Sequence, residues 1–300
     1  SVVVPNYNHA PFLEERMQSI LAQTYPHVEI ILLDDGSTDN SRQILETYAT
    51  QPRVKALLVN EQNAGGLAYK QWQKGFEACT GEWVWIAESD DWCEPSFLQN
   101  LLEQITEQCT LAFAQSMVVS GNQVLWTSER PQLYQTFAGK EFIAHEMIQG
   151  NAVFNASMAI FRRSALQKIN FDFAALSFLG DWAFWVGIAA WGDVLVCGKV
   201  LNYFRQNNSG ISASAKKKGG LYAEYPQLLS LMAAQGWLSA AQMQAALDAM
   251  FMRLLSDDGI YTTEKQKLEA QYQALVPAAH IKRRWQWRQL KRRVSQRIRN

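Results

Sequence analysis

The chain opens on a β-branched run at 2–5 that is broken by Pro5-Asn6-Tyr7-Asn8. Phe12, Met17, Ile20 and Leu21 then recur at helical spacing up to Pro26. Residues 28–33 are continuously apolar, the pattern of a strand buried on both faces. A polar turn and a helical pattern through Ile44, Leu45 and Tyr48 follow, then a strand at 54–59 and a helix at 67–79 that stops at Gly81. Residues 83–87 are a third strong strand, running into a cluster of acids with Glu94-Pro95 opening the next helix. This β-loop-α alternation predicts a mostly parallel sheet with helices on both faces. Ligands in such sheets bind outside the carboxyl ends of the strands, where the polar clusters after Leu33 and Ala87 both fall.

Past residue 100 the pattern loosens. Strands are expected at 111–119, 158–162 and 194–205, with a helix at 182–191. Beyond about 213, a Lys216-Lys217-Lys218-Gly219-Gly220 linker leads into helical sequence at 221–235, 238–256, 263–275 and 281–299. The expected organisation is an α/β domain over 1–212, a helical extension over 213–280 and a basic amphipathic helix over 281–300.

Composition removes several classes. Apolar residues make up 48% and charged residues 19% of the 300, a globular balance. No apolar run is long enough to span a bilayer, and no secretory signal is visible. The start at Ser1, inside an apolar run and without methionine, suggests a removed upstream piece. Cys79, Cys93, Cys109 and Cys197 have no CxxC spacing, which fits a reducing compartment and argues against structural zinc. His9, His27, His145 and His280 are scattered and read as surface or loop residues. The eleven tryptophans exceed the usual needs of a core this size.

The net charge of zero hides a split. Residues 281–300 hold nine Lys/Arg and no acid, leaving 19 basic against 28 acidic residues in 1–280. Such a tail suggests an acidic partner. An acidic body and the lack of a recognition fold argue against nucleic acid.

Three constellations carry chemistry. Asp34-Asp35-Gly36-Ser37-Thr38-Asp39 puts two carboxylates at the mouth of a buried strand, where a helix-capping turn would need one. A carboxylate there can accept the imide N–H of a pyrimidine or help hold a metal. Glu88-Ser89-Asp90-Asp91 crowds three carboxylates at another strand end, which repel unless a cation or donor sits among them. Hard ions such as Mn²⁺ or Mg²⁺ take such oxygens, with phosphates and water completing the shell. Asp181, before the 182–191 helix, is placed either to cap that helix or to act as a general base. Absent are GxGxxG, GxxxxGK[ST] and GxSxG, and Gln149 stands where a zincin needs its second histidine.

The ordered set of Val2-Val3-Val4-Pro5-Asn6-Tyr7-Asn8, 34–39, Asn63-Ala64-Gly65-Gly66, Gly81-Glu82-Trp83, 88–91, Asp181 and Tyr203-Phe204-Arg205…Gly210-Ile211-Ser212 resembles the family 2 glycosyltransferases of the GT-A fold. The likeness covers about 1–210. It implies an inverting transfer from a nucleotide-sugar donor, a UDP-sugar first, to an acceptor hydroxyl, with Mn²⁺ or Mg²⁺ as cofactor. By position, Pro5, Tyr7 and Asp35 would hold the base, Lys70 would lie near the diphosphate, and Asp90 and Asp91 would hold the ribose-diphosphate and metal. Asp181 matches the catalytic base. Many members carry Glu-Asp where this chain has Gly180-Asp181, and Asp-x-Asp-Asp where it has Glu88-Ser89-Asp90-Asp91. The implied acceptor is a glycan or lipid-linked saccharide in bacterial-type surface polysaccharide assembly. The implied place is the cytoplasm, with a peripheral seat on the anionic inner face of the cell membrane through 281–300. The rival readings are a non-catalytic nucleotide-sugar binding module and a metal-dependent nucleotidyltransferase. The latter lacks its basic Gly-rich loop at Pro5 to His9.

Overall fold

The computed structural model describes residues 1–65, 68–206 and 215–276. The expected helix at 281–299 and the Gly210-Ile211-Ser212 stretch lie outside the described residues. Two compact units are present: one of Ser1–Met147 with Asn151–Asn208, the other of Ile148–Gly150 with, among the described residues, 215–276.

In the first unit, β1 (Val2–Asn6) and β2 (Ile30–Asp34) are buried at every position, as a run without polar alternation requires. They pair in parallel, and β3 (Val54–Val59) and β4 (Trp83–Ile86) extend the parallel set on either side. The full order is β3-β2-β1-β4-β9-β6-β10-β5, with β5 at Trp92–Cys93, β6 at Cys109–Ser120, β9 at Ala159–Arg162 and β10 at Asp193–Arg205. Hairpin strands β7 (Gln123–Thr127) and β8 (Tyr134–Ala138) join β6 and β10. Parallel pairing holds through β3-β2-β1-β4 and again between β6 and β10; β9, β5, β7 and β8 run antiparallel to their neighbours. The sheet is therefore mixed. The short β5 and the two hairpin strands carry no long apolar run, which is why periodicity passes over them.

Helix α1 (Ala10–Leu21) buries Leu13, Met17 and Ile20 against the face formed by Val2, Val4, Ile30 and Leu32. Helices α2 (Ser41–Tyr48), α3 (Ala68–Ala78), α4 (Phe97–Leu102) and the short α5 (Gly139–Phe142) follow their strands. Helix α6 starts two residues earlier than expected, at Gly180–Ala189, and is buried almost all round, including Trp182, Phe184 and Trp185. Phe184 stacks on Phe76 of α3 at 5.7 Å and meets Phe161 of β9 edge-on at 5.2 Å. Much of the tryptophan excess is thus core: Trp72, Trp85, Trp182, Trp185 and Trp237 are all buried.

The helical unit contains α7 (Gly220–Ala234), α8 (Ala240–Leu255) and α9 (Thr262–Leu275). Ser239 and Gln242 form a reciprocal capping box that starts α8. Phe251 stacks on Tyr272 at 5.6 Å in its core. The lysine stretch read as a linker is built into this unit, because the Lys217 carbonyl accepts the Tyr261 N–H at 3.0 Å. No helix among the described residues is long and apolar enough to cross a membrane.

Candidate active site

Because β1 to β4 are parallel, and β9 runs antiparallel between β4 and β6, the carboxyl ends of β1, β2, β3, β4, β6 and β10 share one sheet edge. Helix α6 passes into β10 through residues 190–192, so its first turn returns to that same side.

The first cluster is built where β1 and β2 end side by side, Asn6 opposite Asp34. Asn6 donates to Asp34 at 3.0 Å and to the Ser37 hydroxyl at 3.1 Å. Asn8 takes the left-handed conformation (φ 56°) and its side-chain oxygen accepts the Thr38 N–H at 2.7 Å. These two asparagines lock the β1 turn onto the β2 turn and leave Tyr7 between them, 42% exposed. Pro5 is buried inside β1, opposite Leu33. Asp35 is 6% exposed and accepts from four donors: Asn60 at 2.7 Å, Gln71 at 2.6 Å, the Ala64 N–H at 3.0 Å and Asn63 at 3.1 Å. Three of them fall on Oδ1 and only Asn63 on Oδ2. Gly36 (φ 73°) makes this approach feasible, since a Cβ there would stand 2.7 Å from the Gln62 carbonyl carbon. Lys70 is exposed, with its ammonium 3.4 Å from the Ala64 carbonyl.

The second cluster follows β4. The Glu88 carboxyl is pushed up to about 8, first by desolvation and then by repulsion from Asp90 and Asp91. Desolvation also raises Asp90, and with Asp90's charge it lifts Asp91 to about 6. A positive group lies beneath them, Arg16 of α1, fully buried on the apolar face, and the Arg205 side chain reaches the Asp90 carbonyl. The Arg16 Nε donates to the Glu88 carbonyl at 2.9 Å, its guanidinium lies 5.1 Å from the Trp85 ring, and neither Nη finds a hydrogen-bond partner among the described residues. Asp91 is 1% exposed; its Oδ2 accepts from Asn155 at 2.8 Å and Ser157 at 2.7 Å, and its Oδ1 from the Arg205 N–H at 3.0 Å. Asp90 keeps part of its surface open. His9, expected as an isolated loop residue, bonds the Ser89 hydroxyl through Nδ1 at 2.8 Å. Burial lowers its pKa.

Asp181 lies in the first turn of α6, inside the helix rather than ahead of it. Asn151 donates to its Oδ2 at 3.0 Å, and the Trp182 N–H to its Oδ1 at 2.7 Å. Gly180 is fitted closely: a Cβ there would stand 2.5 Å from the Tyr69 ring and 2.7 Å from the Phe173 carbonyl oxygen.

A divalent cation fits the acidic loop on physical grounds. Its three carboxylates all hold their protons above the ordinary range, the response of crowded, desolvated anions whose burial outweighs the charge of Arg16 and Arg205. No three His, Cys, Asp or Glu residues form a ready-made cage among the described residues, so protein would supply few of the ligands.

Asn6 and Asn8 stand in the opening motif of the sequence but received no role there, although they join the two turns. Arg16 shares the 13, 17, 20 face of α1, a charge on an apolar stripe. Asn60, Gln71, Asn151, Asn155 and Ser157 carry no local signal, because only the tertiary fold brings them to the carboxylates.

Comparison with known proteins gives the family and the fold. The family model described as "Glycosyl transferase family 2" matches residues 1–170. Glycosyltransferase GlyG of Streptococcus pneumoniae serotype 4 is 36% identical over 148 residues, which are 49% of this chain and 46% of GlyG, so the match spans less than half of that relative. The crystal structure of S. aureus TarS shares the fold with a TM-score of 0.64 at 21% identity, covering 85% of this chain and 43% of TarS. The mannosyltransferase PcManGT of Pyrobaculum calidifontis, solved with GDP-Man and Mn²⁺, gives a TM-score of 0.54 at 18% identity, over 93% of this chain and 74% of that one. With the GT-A arrangement in place and the family model matching more than half of the 300 residues, the chain belongs to family 2 of the glycosyltransferases.

Proposed function

We propose that the chain transfers a sugar, with inversion, from a nucleotide-diphosphate sugar to an acceptor hydroxyl. The observation that carries this reading is the placement of Asp35, the Glu88–Asp91 loop and Asp181 on one sheet edge by the strand topology. Tyr7 offers an exposed ring on which a base can stack, worth about 1–3 kcal/mol by analogy with single-strand binders. Asp35 Oδ2, carrying one donor, has room for a base N–H. Buried Pro5 shapes the turn from beneath, and Lys70 offers a positive charge to the diphosphate. TarS has been solved with UDP and with UDP-GlcNAc, and PcManGT with GDP-Man, which supports a sugar-nucleotide donor while differing in the base. A UDP-sugar is the leading donor.

Asp90, the more open of the two aspartates, would hold Mn²⁺ or Mg²⁺; Asp91, expected beside it as a metal ligand, already accepts from three donors and would hold the loop in shape from inside. Such an ion supplies charge neutralisation for a departing diphosphate. Asp181 takes the proton of the acceptor hydroxyl while that oxygen bonds the anomeric carbon. The bond from that carbon to the diphosphate oxygen breaks on the opposite face, and the diphosphate leaves with the electron pair. General-base assistance is worth about 10²–10⁴-fold, and positioning supplies much of the remainder. The acceptor proposed is a glycan or lipid-linked saccharide of a bacterial surface polysaccharide. A seat on an anionic membrane through 281–300 would suit it.

Turnover of a panel of UDP-, GDP- and dTDP-sugars, with and without Mn²⁺, tests the reading. Metal-dependent release of nucleoside diphosphate from one member is expected. Binding of a sugar nucleotide with no turnover in the presence of saccharide acceptors would favour a binding module instead.

A further inference from the structure

One short segment touches both acidic centres. Asn151 donates from Nδ2 to Asp181 at 3.0 Å, while its Oδ1 accepts the Val153 N–H at 3.2 Å. The acceptor end of the amide is thereby occupied within its own turn, and the donor end is turned to the carboxylate. Val153 is completely buried and anchors that turn. Four residues beyond Asn151, Asn155 donates to Asp91 at 2.8 Å and accepts from Asn202 of β10 at 3.0 Å. Ser157 then donates to Asp91 at 2.7 Å, accepts the Glu88 N–H at 3.0 Å, and its carbonyl accepts the Trp85 indole at 2.8 Å.

We propose that Asn151 is the positioning residue of the Asp181 carboxylate, and that residues 151–157 act as a strap fixing the spacing between Asp181 and the acidic loop. The proposal rests on the reading of Asp181 as general base. In-line displacement needs the proton acceptor and the leaving-group site held at a constant separation, and an error near 1 Å can cost about 10²-fold in rate. Helix α6 and the loop after β4 are remote in sequence, and a strap bonded to both ties them together.

Two substitutions separate positioning from mere support of the turn. Asn151→Asp still accepts the Val153 N–H but has no donor for Asp181 and adds a like charge. Asn151→Ala loses both bonds. If Asn151 positions Asp181, Asn151→Asp loses at least about 10-fold in kcat, no less than Asn151→Ala, with donor affinity by calorimetry unchanged. Wild-type kcat in Asn151→Asp would overturn the proposal. A parallel measurement needs no substrate: the Asn151 side-chain amide resonance, identified by its loss in Asn151→Ala, should shift in Asp181→Asn. An unmoved resonance would remove the bond on which the proposal stands. The underlying reading fails separately, if Asp181→Asn retains full turnover.

Discussion

Arg205 grips the acidic loop at two neighbouring residues, Asp91 and Asp90. The Arg205 backbone N–H donates to Asp91 Oδ1 at 3.0 Å, and the Arg205 side chain reaches back to the Asp90 carbonyl. The guanidinium is held between the rings of Phe12 (4.5 Å) and Trp92 (4.6 Å) and pairs with Glu15 at 2.7 Å. The end of β10 and the acidic loop therefore form one knot, with the buried aspartate inside it and Asp90 on its open side.

Opposite outcomes follow for the two aspartates. Asp91→Ala strands three donors in a dry environment and should cost about 2–5 kcal/mol of stability, read as a lower urea midpoint. Asp90→Ala should keep that midpoint and lose Mn²⁺-dependent donor binding by calorimetry. Equal stability of the two variants would place Asp91 outside the knot.

Asp181→Asn keeps the size of the side chain and an acceptor for the Trp182 N–H, but cannot take a proton. Donor affinity should hold while turnover falls by about 10²-fold or more. A variant that loses only melting temperature would make the residue a support for α6.

The acidic loop gives a pH dependence of definite sign. Glu88 titrates near 4.5 when unfolded and near 8 when folded, so between those values the folded state holds a proton that the unfolded state has lost. The contribution of the acidic loop to the stability of the metal-free protein should therefore fall as pH rises through that window, with Asp91 adding to the fall from about 4 to about 6. His9, whose pKa burial lowers, works in the opposite direction. Glu88→Gln should flatten the upper part of the curve. Mn²⁺ competes with these protons, so its affinity should strengthen between about pH 6 and pH 8. Thermal melting across pH, with chelator or with Mn²⁺, checks both; a flat metal-free curve would sink the electrostatic account.

The carboxylates were legible in the sequence because each follows a strand written as an uninterrupted apolar run. Residues 28–33 and 83–87 announce buried strands, and their acids fall at the ligand-binding edge of any such sheet. What holds those acids was not legible. Gln71, Asn155 and Ser157 are ordinary polar residues whose partners lie 36, 64 and 66 positions away. The hairpin strands β7 and β8 are equally silent, since each is five residues long and partly or wholly exposed, with no apolar/polar alternation to mark a buried face. Helix α6 was recognised by its apolar content, yet being buried on all sides it has no periodicity to fix its start, which put Asp181 outside the helix instead of in its first turn.

That first turn is also where the chain departs from the Glu-Asp pair of many family members. Gly180 leaves no space for a side chain between Tyr69 and the Phe173 carbonyl. Gly180→Ala should push the turn outward, costing about 1–3 kcal/mol and moving Asp181 enough to lower kcat by roughly 10-fold. Gly180→Glu should do more harm, although it restores the commoner residue. Melting curves and turnover would decide; a Gly180→Glu variant as stable and active as the parent would mean that Tyr69 swings aside at no cost.

The basic tail calls for a test of a different kind. Trp287, Leu290, Val294 and Ile298 recur at three- and four-residue steps, with Trp285 off the stripe and Lys291 at its edge. Nine Lys/Arg and no acid surround them within 281–300. As a helix, this segment would lay its apolar stripe in a bilayer surface, with each basic residue near anionic headgroups contributing about 1 kcal/mol. The full chain should sediment with vesicles containing phosphatidylserine and not with pure phosphatidylcholine vesicles. Release is expected as salt rises, because the Debye length shortens to about 3 Å at 1 M. Deletion of 281–300 should abolish sedimentation while donor turnover persists. If the truncated chain still sediments, or if deletion instead dissolves an oligomer seen by light scattering, the stripe packs on protein and the membrane seat is lost.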